Sequence, residues 1–165
     1  MHKTLTILLL MLWTFGGAIH AAQQAKPNPS AKLLGACGIV SKAEIEQAIG
    51  TTLGNPTQRE VEEANICTYE NAKGNKVKIY LARAQGERDL STLADQARKA
   101  LPEAKVQEFP GLGEKALLVS DPRGATILSV YRGGDSLVVS VYGIRNGAKA
   151  EAAVESIAKK AYSRF

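Results

Sequence analysis

Two cysteines, Cys37 and Cys67, are the only thiols in this 165-residue chain, and they stand 30 positions apart. That spacing rules out a Cys-x-x-Cys redox pair, and two thiolates are too few for a structural zinc site. Two uses remain open: one disulfide or two buried free thiols. A disulfide is the usual fate of two cysteines in an exported chain, and a loop of this length would disfavour the unfolded state by about 3–4 kcal/mol. Histidine, which most readily moves protons near neutral pH, occurs only as His2 and His20.

Both histidines fall in a stretch that reads as a secretory signal. Lys3 supplies a basic start, Leu5 to Ile19 form an apolar run, and Ala21 and Ala22 offer a cleavage site. The run is short of the ~20 apolar residues that a membrane span needs. Cleavage after residue 21 removes every histidine, every methionine (Met1, Met11) and Trp13. Lys3 leaves too, so 20 basic residues face 16 acidic ones, a net charge of +4. A mature chain of this kind has no Ser-His-Asp triad, no Cys-His pair and no histidine-ligated metal. Leu34-Gly35-Ala36-Cys37 has the letters of a lipoprotein box, but Lys26, Pro27, Asn28, Pro29 and Lys32 separate it from the apolar run. Lipidation there would strand Cys67.

The remaining chemistry is carried by carboxylates, glycines and tyrosine–arginine sets. Glu62 and Glu63 are neighbours, but in a strand their side chains point to opposite faces, and the other acids are scattered. Solvated charge is the expected reading, and no calcium loop of the Asp-x-Asp-x-Asp-Gly kind occurs. Gly111-Leu112-Gly113-Glu114-Lys115-Ala116 spells Gly-x-Gly-x-x-Ala. A dinucleotide site needs a helix to follow, whereas the run Ala116 to Val119 is strand-like, so a tight turn feeding a strand is expected. No cofactor is expected. Tyr69, Tyr80 and Arg83, with Tyr131, Arg132, Tyr142 and Arg145, are the candidate ligand-binding residues, because arginine forks match carboxylates and phosphates. Tyrosine also simply favours strands, and arginine snorkels over them. No nucleic-acid partner is expected, because the chain reads as exported and has neither a basic cluster nor dense aromatics.

These residues need elements to position them. Residues 22–32 read as a flexible leader with two prolines, and 33–165 as one domain. Ser41-Lys42-Ala43-Glu44 is a capping box, opening a helix that Gly50 stops. Thr57 to Ala64 reads as a polar edge strand. Ile66 to Glu70 and Val77 to Ala82 form a hairpin around Gly74-Asn75. Leu90, Leu93, Ala94, Ala97 and Leu101 have helical spacing, with Asp89 or Ser91 as cap and Pro102 as stop. Strands follow at Lys105 to Phe109, Lys115 to Ser120, Ala125 to Arg132 and Ser136 to Gly143, with turns at Asp121-Pro122-Arg123-Gly124 and Gly133-Gly134-Asp135. Asn146 or Gly147 opens a final helix. The expected class is α+β: an antiparallel sheet with helices on one face.

Tyr69, Tyr80 and Arg83 recur as Tyr131, Tyr142 and Arg145, an offset of 62. That spacing suggests two strand–strand–strand–helix units after a leading helix. The first turn is longer than the second, so the tyrosines need not face alike. Cys-Gly before a helix ending in Gly, then Cys67-Thr68-Tyr69, then Pro110 to Ala116 and paired strands, resembles small exported bacterial proteins and lipoproteins of unknown function, best known from actinobacteria. The resemblance implies a disulfide-bonded α+β domain of the cell envelope and brings no catalytic residues.

The expected function is a periplasmic or secreted, non-enzymatic binding or accessory domain. Its partner would be an envelope protein or an anionic envelope component. A carboxylate- or serine-dependent hydrolase and a secreted enzyme inhibitor are the alternatives, and net positive charge disfavours a basic target such as lysozyme.

Overall fold

The computed structural model describes residues 35–61, 64–83 and 90–164, with side chains described except at 79–83 and 90. The expected signal and leader, Glu62-Glu63 and the candidate cap Asp89 lie outside these residues.

The domain begins with a short helix that the sequence reading did not anticipate, α1 (Ala36–Ile39), followed by α2 (Lys42–Ile49). The capping box of α2 forms as read: the Ser41 amide donates to Glu44 Oε2 at 3.0 Å and the Glu44 amide to Ser41 Oγ at 3.4 Å. Gly50 ends the helix at φ +70°, a left-handed conformation costly for other residues. Ile45 and Ile49 are buried, one turn apart on the inner side.

Seven strands follow: β1 (Thr57–Val61), β2 (Ala64–Glu70), β3 (Lys76–Arg83), β4 (Lys105–Glu108), β5 (Lys115–Asp121), β6 (Ala125–Arg132) and β7 (Asp135–Tyr142). Helix α3 (Leu90–Ala100) stands between β3 and β4, and α4 (Gly147–Tyr162) closes the domain. The sheet order is β1-β2-β3-β7-β6-β5-β4, with every neighbour antiparallel. Turn chemistry sets the joints. The Gly124 amide donates to Asp121 O across the Asp-Pro-Arg-Gly turn, and Asn71 Oδ1 accepts from the Lys73 and Asn75 amides in the longer β2–β3 turn.

Alternation along the strands separates two faces. On one, Cys67, Tyr69, Val77, Leu118, Leu128, Val130, Leu137, Val139 and Val141 form the main core with α1, α2 and α4. From α4 come Ala153, Val154, Ile157, Ala158 and Ala161, small residues that let its axis lie close to the sheet. Helix α3 instead packs on the other face, where Ala94 meets Leu117 and Val119 with Leu93, Ala97, Leu101, Val106 and Ile127 beside them. Three helices share one face, and the fourth departs from the one-face arrangement because β5 is apolar on both sides. Ala116 to Val119 are all buried, a run that needs cover above and below.

The offset of 62 has a geometric counterpart. Lys78 and Ser140 differ by 62 and are directly paired where β3 meets β7. A pseudo-two-fold axis through that pair relates β1–β3 to β5–β7, leaving β4 as an extra edge strand. Helices α3 and α4 end at Ala100 and Tyr162, again 62 apart. The symmetry fails at the helices. Helix α4 covers β6 and β7, and the equivalent place over β2 and β3 is taken by α1, which Cys37 ties to β2.

Candidate functional site

Cys37 and Cys67 form the disulfide, with Cα atoms 4.9 Å apart. It joins α1 to β2. Tyr69 lies two residues further along the same strand face, fully buried, and its hydroxyl donates to Cys37 O at 3.4 Å. Burial pushes its phenol above the ordinary value. This tyrosine is a core residue that braces the disulfide-linked helix.

The other candidate residues are dispersed rather than gathered in one patch. Arg132 falls on the core-facing side of β6, where its guanidinium sits 4.7 Å from the centre of the Tyr162 ring on α4, a cation–π contact. Arg83 has the register parity of Val77 on β3 and so takes a position on the helix-covered side. Arg145 is exposed in the loop after β7. Tyr80, Tyr131 and Tyr142 occupy positions on the second face. Tyr131 pairs with Ser136, so it lies six residues along the β7 direction from Tyr142, roughly 20 Å at about 3.3 Å per residue. No single ligand-sized site holds both.

What the second face does bring together went unmarked in the sequence. Reading across β1, β2, β3, β7 and β6, one row runs Arg59, Ile66, Tyr80, Val138, Ser129, and the next runs Thr57, Thr68, Lys78, Ser140, Ile127. Ile66, Val138 and Ile127 are half-buried, and Ser140 is buried between larger neighbours. The chief contacts of α3 are with β4 and β5, so among the described elements no helix covers the β1–β3 and β7 part of this face. Lys76 is neutralised by Glu70 at 3.1 Å. Arg59 and Lys78 have no acidic partner among the described residues. The alternation of Lys76, Lys78 and Tyr80 with Val77 and Ile79 was the available signal, but Arg59 and Ile66 join them only through register.

The glycine motif builds a turn and a strand, as its flanks indicate. Gly111 and Gly113 adopt φ +79° and +70°, and β5 follows, so the motif does not lead into the helix that a dinucleotide fingerprint requires. The Glu114 amide donates to Tyr131 O at 2.9 Å, and its carboxylate accepts from the Gly133 amide at 3.2 Å, fastening the turn to the β6–β7 hairpin. An open cleft of about 440 Å³ runs along this turn, bordered by Ser91, Glu108, Phe109 and Lys115. Elsewhere the closest charge pairs are structural. Asp121, 4% exposed at its side chain, is gripped by the Arg123 guanidinium, whose hydrogen bonds hold its carboxyl below the usual range. Among the described residues no three His, Cys, Asp or Glu side chains are grouped to hold a metal ion, and no helix is long and apolar enough to cross a membrane.

The chain matches no family model, no curated protein and no solved structure.

Proposed function

We propose that this chain is an exported, non-enzymatic binding domain of the cell envelope that takes up an anionic partner surface on the uncovered face of its sheet. One observation carries the reading: Arg59 on the edge strand and Lys78 on β3 stand beside half-buried Ile66 and Val138 on the part of the sheet face that α3 leaves open. Burying those apolar residues beneath an acidic surface would remove apolar area from water and give both cations a partner. A sheet face that mixes half-buried apolar residues with cations suits a protein–protein contact, whereas small ligands favour concave sites. The N-terminal apolar run and the disulfide support export into an oxidising compartment. Absence of histidine from residues 22–165 supports binding over acid–base catalysis.

The test is an NMR titration of the isotopically labelled 22–165 domain with poly-L-glutamate, alongside vesicles containing phosphatidylglycerol. Shifts at Ile66, Thr68, Lys78 and Val138, lost in the Arg59→Glu/Lys78→Glu variant, are expected with the polypeptide. Perturbation confined to the cleft along Phe109 to Ala116, or to α4, would overturn the assignment. Response to vesicles alone would replace a protein partner by a membrane surface.

A further inference from the structure

We propose that Asn146-Gly147 is a self-modifying site, at which the asparagine capping α4 converts to aspartate and isoaspartate through a succinimide. It is the only Asn-Gly pair in the chain. The proposal rests on how differently the structure treats the asparagines, and it is independent of the sheet-face reading.

The reaction needs an accessible backbone nitrogen after the asparagine, a side chain free to rotate and room for a five-membered ring. Residues 145–149 are all exposed. A Cβ at Gly147 would meet nothing within 4 Å, so no neighbouring atom blocks the ring. The Gly147 amide is the first of α4, a position whose N–H has no acceptor within the helix. One capping bond holds the Asn146 side chain, the Lys149 amide donating to Oδ1 at 3.1 Å. Arg145 and Lys149, with the positive end of the helix, favour the deprotonated nitrogen that attacks.

The other described asparagines lack these conditions. Asn55 precedes Pro56, which has no N–H to deprotonate. Asn65 lies within the β2 ladder, with Ile66 paired to Tyr80 and Arg59 on either side. Asn71 is held at both ends of its amide, Oδ1 accepting from the Lys73 and Asn75 amides while Nδ2 donates to Thr51 Oγ1 and Thr52 O. Asn75 is packed against Gly143 and followed by Lys76 in β3.

The step balances with water alone. The Gly147 nitrogen loses its proton and bonds to Asn146 Cγ; the side-chain nitrogen leaves as ammonia, carrying that proton. Water then adds to one of the two ring carbonyls and opens it. One opening restores the normal backbone with aspartate at 146. The other routes the backbone through Cβ as isoaspartate. Either product adds one negative charge between Arg145 and Lys149. Normal aspartate remains a good cap and suits the helix dipole, whereas isoaspartate lengthens the backbone and takes the oxygen away from the Lys149 amide.

The experiment incubates the purified 22–165 domain at mildly alkaline pH, followed by charge-variant chromatography and tryptic mapping with fragmentation that separates the two isomers. Conversion in the fragment Asn146 to Lys149 is expected to outrun that at Asn65, Asn71 and Asn75 by about tenfold or more, the ratio for a barrier lower by about 1.4 kcal/mol. Gly147→Ala should slow it severalfold while thermal melting stays near wild type, since the added methyl enters open space. Equal rates at Asn71 and Asn146 would overturn the proposal. So would undiminished conversion in Gly147→Ala, or aspartate without isoaspartate.

Discussion

Removing the disulfide tests how the start of the domain is held. In the chain-entropy model a closed loop of about 30 residues reduces unfolded-state entropy by about 12 cal/mol/K, or about 3.6 kcal/mol at 25 °C. In Cys37→Ala/Cys67→Ala a second term joins it. Cys67 has no exposed surface and touches the main core, so losing its sulfur leaves a small void costing about 1 kcal/mol. The expected loss is therefore about 4–5 kcal/mol, a large part of the ~5–15 kcal/mol typical of a domain. Urea unfolding followed by circular dichroism measures it. The dependence on urea should steepen, because the unlooped chain exposes more surface on unfolding. Hydrogen exchange should also show α1 and α2 opening before α4, since the bond pins α1 over β2 and β3 where the pseudo-symmetry would place another helix. A loss below about 1 kcal/mol with unchanged slope would refute the argument, because the loop term would then be absent.

Gly113→Ala should destabilise by about 3 kcal/mol or more, because its Cβ would lie 2.6 Å from Val130 Cγ1 and 2.7 Å from Tyr131 O in addition to its φ of +70°. Gly111→Ala, at φ +79° but with open space around it, should cost only about 1–2 kcal/mol; equal midpoints for the two in urea would show that the contact is relieved. Glu44 is held below the usual carboxylate range, chiefly by hydrogen bonds from the Arg164 side chain and then by the Ser41 amide and hydroxyl. Its folded pKa is lowered, so its contribution is fully present above the unfolded value near 4.5 and fades as pH falls below it. The melting-temperature gap between wild type and Glu44→Gln should therefore be constant at neutral pH and shrink on acidification; a gap that widens in acid would contradict the sign. Ser41→Ala removes one half of the capping box and should cost about 1 kcal/mol by the same melts.

Much of the local structure was legible from single residues. Ser41 and Glu44 announced α2, Pro102 and Gly50 marked helix ends, and the Asp-Pro-Arg-Gly turn and paired glycines set strand limits, because caps and turns depend on chemistry within a few residues. Helix α1 was not legible, since four residues carry no period, and its place is secured by a bond to Cys67 far along the chain. The glycine motif was readable only through its flanks: the same letters before a helix would have meant something else.

The candidate site was another matter. Tyr69 and Tyr131 look equivalent in the sequence, yet one is buried beside the disulfide and the other lies on the open face. The pseudo-axis relates Tyr80 to Tyr142 at an offset of 62 but Ile66 to Ala125 at 59, because Ile66 pairs with Tyr80 and Ala125 with Tyr142. The chain runs 14 residues from Ile66 to Tyr80 but 17 from Ala125 to Tyr142, so the second hairpin is three residues longer between equivalent positions. An odd shift reverses which face a side chain takes, since strand side chains alternate with period two, so Leu128 and not Tyr131 is the counterpart of Tyr69. Hydrophobic alternation, caps and turn residues thus determined the α+β class of the domain. Strand order and register alone decided that Arg59, Ile66, Lys78 and Val138, far apart in the chain, share one surface.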